Sequence, residues 1–200
     1  MRSQMYKGIA ILLTLLCLLG TGCQGAPMHK SNTPTDVVRS FLIAVKNRRF
    51  EEADTYLLGH QDSYLLLSAQ GIFKETQDFH FSEDTLKKLD ESFADYIFSL
   101  QAETIQDQSA TVYVSINSYD MKHTFDLVKS KIFDDAKEAD TPLDAITLDT
   151  QVDPVLNKLL KNGDHQRMNT GLRVYLVKKD HRWLIDNNSN QGFFNALIGK

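Results

Sequence analysis

The chain has 200 residues, 42% of them hydrophobic, with 22 Lys and Arg against 26 Asp and Glu for a formal net charge of −4. That length suits one domain with a real core, and the acidic balance argues against a nucleic-acid-binding protein. Two cysteines are too few for a disulfide framework or a thiolate zinc cage.

Arg2 and Lys7 make a short positive start, and residues 8–19 are an almost unbroken apolar run. About twelve apolar residues fall short of the roughly twenty that span a bilayer. Residues 1–22 therefore read as a secretory signal peptide. Cys17, inside the run, reads as a plain hydrophobe. Gly20, Thr21, Gly22 and Cys23 follow. The arrangement resembles a bacterial lipobox, in which cleavage before a cysteine leaves that cysteine carrying diacylglycerol. Thr21 and Gly22 fit that pattern, while Gly20 stands where it prefers Leu. The other readings are an uncleaved anchor, or an ordinary cleavage after Ala26 that sets Pro27 just past the cut. The resemblance implies lipidation at Cys23, by palmitate-type acyl chains, and a domain on the extracytoplasmic face of the cell membrane. From Cys23 onward the chain carries 20 bases and 26 acids, a net −6, and no further cysteine. Residues 24–33 are polar, with a Gly and a Pro, and read as a tether.

The folded part is expected over 34–200. Thr33 suits a helix cap, Pro34 the first turn, and Asp36 the position of a capping-box acid. Val38, Phe41, Leu42 and Val45 follow at helical spacing, with Asn47 as a left-handed stop. A short helix begins near Phe50, carries Ala53, Tyr56 and Leu57 on one face, and ends at Gly59. Residues 61–74 fit a helix or a buried strand equally well. Ser82 caps the next helix, whose Leu86, Leu89 and Phe93 face the core.

The period then changes. Residues 95–106 and 109–119 read as strands joined by a turn at Asp107-Gln108. In the second strand Val112, Val114 and Ile116 alternate with Thr111, Tyr113, Ser115 and Asn117, so one face is aliphatic. Residues 122–138 return to a helix with Phe125, Val128, Ile132 and Phe133. A loop with Pro142 covers 140–150. A helix over 153–161 has Pro154 in its first turn and Gly163 past its end. Strands at 171–178 and 181–187 turn at Lys179-Asp180. A helical turn bearing Phe193, Phe194 and Leu197 ends the chain.

Helices followed by antiparallel hairpins make an α+β class. Residues 34–58, with their apolar stripe, polar stop, aromatic, Glu51-Glu52-Ala53 and Tyr56-Leu57, resemble the opening helix pair of nuclear-transport-factor-2-like domains. Residues 174–186, with Trp183 followed by Leu184, Ile185 and Asp186, resemble their closing hairpin. Together with the leader, the whole resembles small lipoproteins of Gram-positive bacteria without an assigned activity. The resemblance implies a cone: a curved antiparallel sheet packed on N-terminal helices, here with residues 121–168 as a helical insertion between the hairpins. It implies no single activity, because the fold hosts enzymes, binding modules and interaction domains.

Motifs that carry chemistry are sparse. There is no Gly-rich phosphate loop, metalloprotease His pair, EF-hand loop or Gly-x-Ser-x-Gly elbow. Asp140, Asp144, Asp149 and Asp153 are too widely spaced for a calcium loop and read as solvated surface. Asp120, His123 and Asp126 share one side of a helix, where two carboxylates would favour a cationic His suited to acid–base work. The plainer reading makes Asp120 a cap. Asp186 ends the last strand, either in water or in the cone mouth, where related enzymes place an acid–base carboxylate. Trp183 reads as core or as a ligand-stacking ring. Tyr113, Tyr119 and Tyr175 lie on strands, and Tyr113, Ser115 and Asn117 share a face of the kind that lines a pocket or meets water. The expected function is a non-catalytic binding or interaction domain for a small ligand or an envelope protein, with no metal, cofactor or nucleic acid. The alternatives are a pocket enzyme using Asp186 or His123, and a structural envelope component.

Overall fold

The computed structural model describes residues 33–59, 62–74, 80–140, 145–163 and 166–200. The expected signal peptide, Cys23, tether residues 24–32, Pro142 and Asp144 lie outside the described residues. Five helices come first: α1 (Pro34–Lys46), α2 (Phe50–Asp54), α3 (Ser63–Leu67), α4 (Ala69–Lys74) and α5 (Glu83–Ala94). The hairpin β1 (Ile97–Gln106) and β2 (Ser109–Tyr119) follows. Helices α6 (Met121–Glu138) and α7 (Ala145–Asn162) separate it from β3 (Arg167–Lys179) and β4 (Arg182–Ile185), and α8 (Gln191–Leu197) closes the chain. The strands form one antiparallel sheet in the order β1-β2-β3-β4, giving an α+β fold.

Helix α1 starts as its sequence directs. The Thr33 hydroxyl oxygen accepts the Asp36 N–H at 3.1 Å, and Pro34 holds the first turn. Val37, Val38, Phe41, Leu42, Ala44 and Val45 are buried. A break in the β1–β2 register after Leu100 precedes Glu103. Its carboxylate accepts from the Thr35 N–H (3.0 Å) and hydroxyl (2.5 Å), placing a negative charge at the N-terminus of α1. The left-handed residue after α1 is Arg48 (φ 59), not Asn47 (φ −90). Asn47 instead donates its amide to the Ile43 carbonyl at 2.9 Å, which keeps it in helical register.

Residues 63–67 and 69–74 are helical rather than extended, with only Ser68 between them in an extended conformation. Asp62 caps α3 by accepting from the Tyr64 N–H at 3.0 Å. The tight junction with α4 needs Gly71, where a Cβ would stand 2.4 Å from the Tyr64 carbonyl oxygen. Ser82 caps α5, with Leu89 and Phe93 buried and Leu86 half-buried.

The strand expected from residue 95 begins at Ile97, and Tyr96 just before it is fully buried. Its hydroxyl donates to the Leu42 carbonyl at 2.5 Å, and burial pushes it well above the usual tyrosine range. β3 begins at Arg167 rather than 171, and β4 ends at Ile185 rather than 187. The turn between them falls one residue later than expected. Asp180 (φ 50) and His181 (φ 62) both take the left-handed conformation that a type I′ turn demands. Beyond β4 the edge is covered: Ile185 N–H donates to the Tyr56 carbonyl, and Leu58 N–H to that of Ile185.

The helices fill the inner face. Ala110, Val112, Val114, Ile116, Val174, Leu176 and Ile185 meet α1 and α8 there, with Phe41 5.7 Å from Phe193 and 6.1 Å from Phe194. Helices α6 and α7 pack on each other, and α7 also on α5. Phe133 is 54% exposed, because it lies about 100° round the helix from the Val128–Ile132 stripe. One expectation fails in this region. The expected loop over 140–150 is helical from Ala145, so Pro154 lies inside α7 instead of at its start. Pro in a helix interior costs roughly 3 kcal/mol. Pro154 is exposed, while Val152, Leu156 and Leu160 on the opposite side are buried, and their burial offsets that cost.

Candidate functional site

The outer face of the sheet is left without a helical layer among the described residues. Its composition follows from the two-residue period: each buried aliphatic on β2 has an outward neighbour, Thr111, Tyr113, Ser115 or Asn117. The β2–β3 register sets Tyr113 opposite Arg173 and Thr111 opposite Tyr175. The Arg173 guanidinium lies over the Tyr113 ring at 5.5 Å, a cation–π distance. The Tyr113 and Tyr175 side chains both hold it more firmly in its protonated form. Tyr113 and Tyr175 are 40% and 42% exposed. Together with Thr104, Gln106, Ser109 and Thr111 they line a shallow hollow of about 290 Å³. Such a surface offers ring faces, hydroxyls, an amide and a cation, but no nucleophile–base pair and no carboxylate.

One end of this face is tied by Arg167. It donates to the Asn117 side-chain oxygen (2.6 Å), the Asp95 carbonyl (2.8 Å) and the Asp95 carboxylate (3.2 Å). It also stacks 4.6 Å over Tyr119, whose hydroxyl donates to Asp95 at 2.8 Å. The Tyr119 hydroxyl, then Arg167, hold the Asp95 carboxyl below its ordinary range. Asp95 in turn raises Tyr119. This network joins the start of β1 to β2 and β3.

The other predicted residues are dispersed. Trp183 is on the inner face, 7% exposed, with the Lys178 ammonium 5.5 Å above its ring. Ile185 beside it is fully buried, and Leu184 on the outer face is half-buried. Asp186 caps the turn after β4, accepting from the Asn188 N–H (3.3 Å) and the Ser189 hydroxyl (2.5 Å). Asp120 caps α6 through the His123 N–H (2.8 Å), and Asp126 pairs with Lys122 at 3.1 Å, so neither carboxylate is aimed at the His123 ring by these bonds. Asp153 accepts from the Ser82 N–H and hydroxyl. No group of three or more His, Cys, Asp or Glu suited to a metal is found among the described residues.

Two other hollows are chemically unlike the first. A charged groove of about 730 Å³ runs past Arg48, Arg49, Glu52 and Asp62. Most of its ions are already engaged: Arg49 pairs with Glu52 at 2.7 Å, Arg48 with Asp90 at 2.5 Å, and Asp62 caps α3. An apolar notch of about 180 Å³ lies among Phe73, Phe93, Met121 and Phe125.

Arg173 and Arg167 were missed in the sequence. The two-residue period places Arg173 and Tyr175 on one face, which is a readable signal. The pairing of Arg173 with Tyr113 lies sixty residues apart and is not. No helix of the described residues is long and apolar enough to cross a membrane. No family model matches the chain, and no curated protein matches it. A crystal structure of ycdA from Bacillus subtilis, a provisionally assigned lipoprotein, is similar over 80% of this chain at 14% identity and a TM-score of 0.49. The chain spans 55% of the length of that structure, and a likeness at this level bears on neither activity nor site.

Proposed function

We infer that the chain is a lipid-anchored, extracytoplasmic domain that binds a ligand or an envelope partner without catalysing its conversion. The anchor rests on Cys23, set directly after a short apolar run and two small residues. The observation that carries the binding half is the uncovered outer sheet face with Arg173 set against Tyr113 and Tyr175. Acid–base catalysis wants a titratable group held in a water-poor pocket. The Asp186 carboxylate is used in a turn, and His123 does not line the hollows described above. The nuclear-transport-factor-2-like cone remains part of this reading, carried by residues 34–58 and 174–186. In its described part the inner side is filled by Phe41, Phe193 and Phe194, and the outside of the sheet is the uncovered surface.

The anchor is tested by fractionation and acyl labelling. Wild type should sit in the membrane fraction and take up an alkynyl palmitate analogue. Cys23→Ser should lose the label and either leave the membrane or persist as a longer precursor. Unchanged labelling and fractionation in the Ser variant would sink the assignment.

A further inference from the structure

The outer face of the sheet carries charge of one sign. By the strand registers its charged side chains are Arg167, Arg173, Lys179 and Arg182, and no Asp or Glu of the four strands shares it. Asp107 and Asp180 sit in the hairpin turns. In a chain of net charge −4 this is segregation against the average. Arg167 is engaged by Asp95. Arg173, Lys179 and Arg182 meet no carboxylate within 4.0 Å among the described residues, and Arg182 donates to the Thr55 carbonyl at 3.3 Å, which leaves its charge unneutralised. Lys179 and Arg182 are direct cross-strand partners, and like charges so placed weaken a sheet. An anion lying between them would relieve that repulsion.

The spacing is linear. Arg173 and Lys179 share a face of β3 six residues apart, roughly 20 Å along the strand. The hollow beside Arg173, at about 290 Å³, is near the small end of ligand sites and offers hydroxyls and an amide rather than aliphatic walls. We propose that this face binds an acidic saccharide chain laid along β3, with Arg173 and the Lys179–Arg182 pair taking its acid groups and Tyr113, Thr111 and Tyr175 taking its sugar faces and hydroxyls. The guanidinium fork suits a planar carboxylate. A lipid surface fits less well, because the large aliphatic most exposed on this face is Ile97, at the end of the sheet away from Lys179 and Arg182. This assignment rests on the binding reading above and gives that binding a ligand class.

The test uses the full chain in neutral phosphatidylcholine liposomes, with fluorescent polygalacturonate as the probe. Polygalacturonate should be captured, and capture should weaken with added salt. Neutral dextran should not be captured, and polyglutamate of equal charge should bind about tenfold more weakly for want of hydroxyls. Arg173→Ala, and separately Lys179→Ala with Arg182→Ala, should each lower affinity about tenfold, with Arg173→Lys in between. Wild-type Trp183 emission in each variant shows that the fold is kept. Absence of capture, equal capture of dextran or polyglutamate, tighter tethering of phosphatidylglycerol vesicles, or unchanged affinity in the variants would each overturn the proposal. Flotation separates the two readings: a chain that floats with its liposomes but captures no polymer refutes the saccharide and leaves the anchor standing.

Discussion

The two faces of the sheet share one backbone and have opposite chemistry. On β2, Val112, Val114 and Ile116 are fully buried, while Tyr113, one residue from two of them, is 40% exposed. On β3 the same contrast separates Val174 and Leu176 from Arg173 and Tyr175. The inner face is consumed by the helices and holds the fold together. The outer face is free of that duty and can hold cations and ring edges that a core would reject. On the proposed binding reading, the ligand-facing residues lie one step along the strand from the core residues.

The contrast is broken most readily at Trp183. Trp183→Ala should cost about 3–5 kcal/mol, a large share of the roughly 5–15 kcal/mol that stabilises a domain. Native emission should be blue-shifted, and the variant should be unfolded or nearly so by denaturant titration. A red, readily quenched emission together with a stable variant would move Trp183 to the wet side.

Arg167→Ala should come next, at about 1–2 kcal/mol, because it unties Asp95 from Asn117 at the rim of the sheet. A smaller loss of midpoint than in Trp183→Ala, with an unchanged slope on denaturant, is the expected trace. The same network fixes a pH window. Asp95 titrates below its ordinary 3.8 when folded, so its contribution is complete above that value and is lost as pH falls through the folded value. Tyr119 titrates above its ordinary 10.0, so its contribution is complete below that value and is lost as pH rises through the folded value. Asp95→Asn should flatten the acid limb of a plot of melting temperature against pH. An acid limb identical to wild type would remove Asp95 from the account.

The smallest effects belong to the outer face. Leu184→Ala should cost no more than about 1 kcal/mol, since the side chain is only half-buried. Tyr175→Ala should stay within about 0.5–1 kcal/mol by thermal melting. A loss from Tyr175→Ala approaching that from Trp183→Ala would erase the distinction between the faces.

Local signals were legible in the sequence where neighbours in the chain decide the outcome. Thr33 and Ser82 cap their helices through residues three positions on. The alternation in β2 declares its buried side, and Asp107 (φ 51) marks its turn. Two marks were misread. Asn47 follows a helix and suits a left-handed stop, yet its own amide binds back to Ile43, and Arg48 takes the strained conformation. Pro154 reads as a helix start, because the burial of Val152, Leu156 and Leu160 that carries α7 through it depends on tertiary packing against α5 and α6.

The sequence by itself determined the α+β class, the position of both hairpins, the aliphatic face of β2 and the expectation of a lipid on Cys23. The first three follow from periodicity, capping or spacing within a few residues, and the last from the resemblance of residues 20–23 to a lipobox. Tertiary structure decided what those elements do to one another. Glu103 reaches Thr35, Tyr96 reaches Leu42, Arg167 reaches Asp95 and Arg173 lies on Tyr113, across separations of 54 to 72 residues. Only the strand register turns scattered Arg and Lys into a one-signed face, because a shift of a single residue would send every one of those side chains to the core side of the sheet.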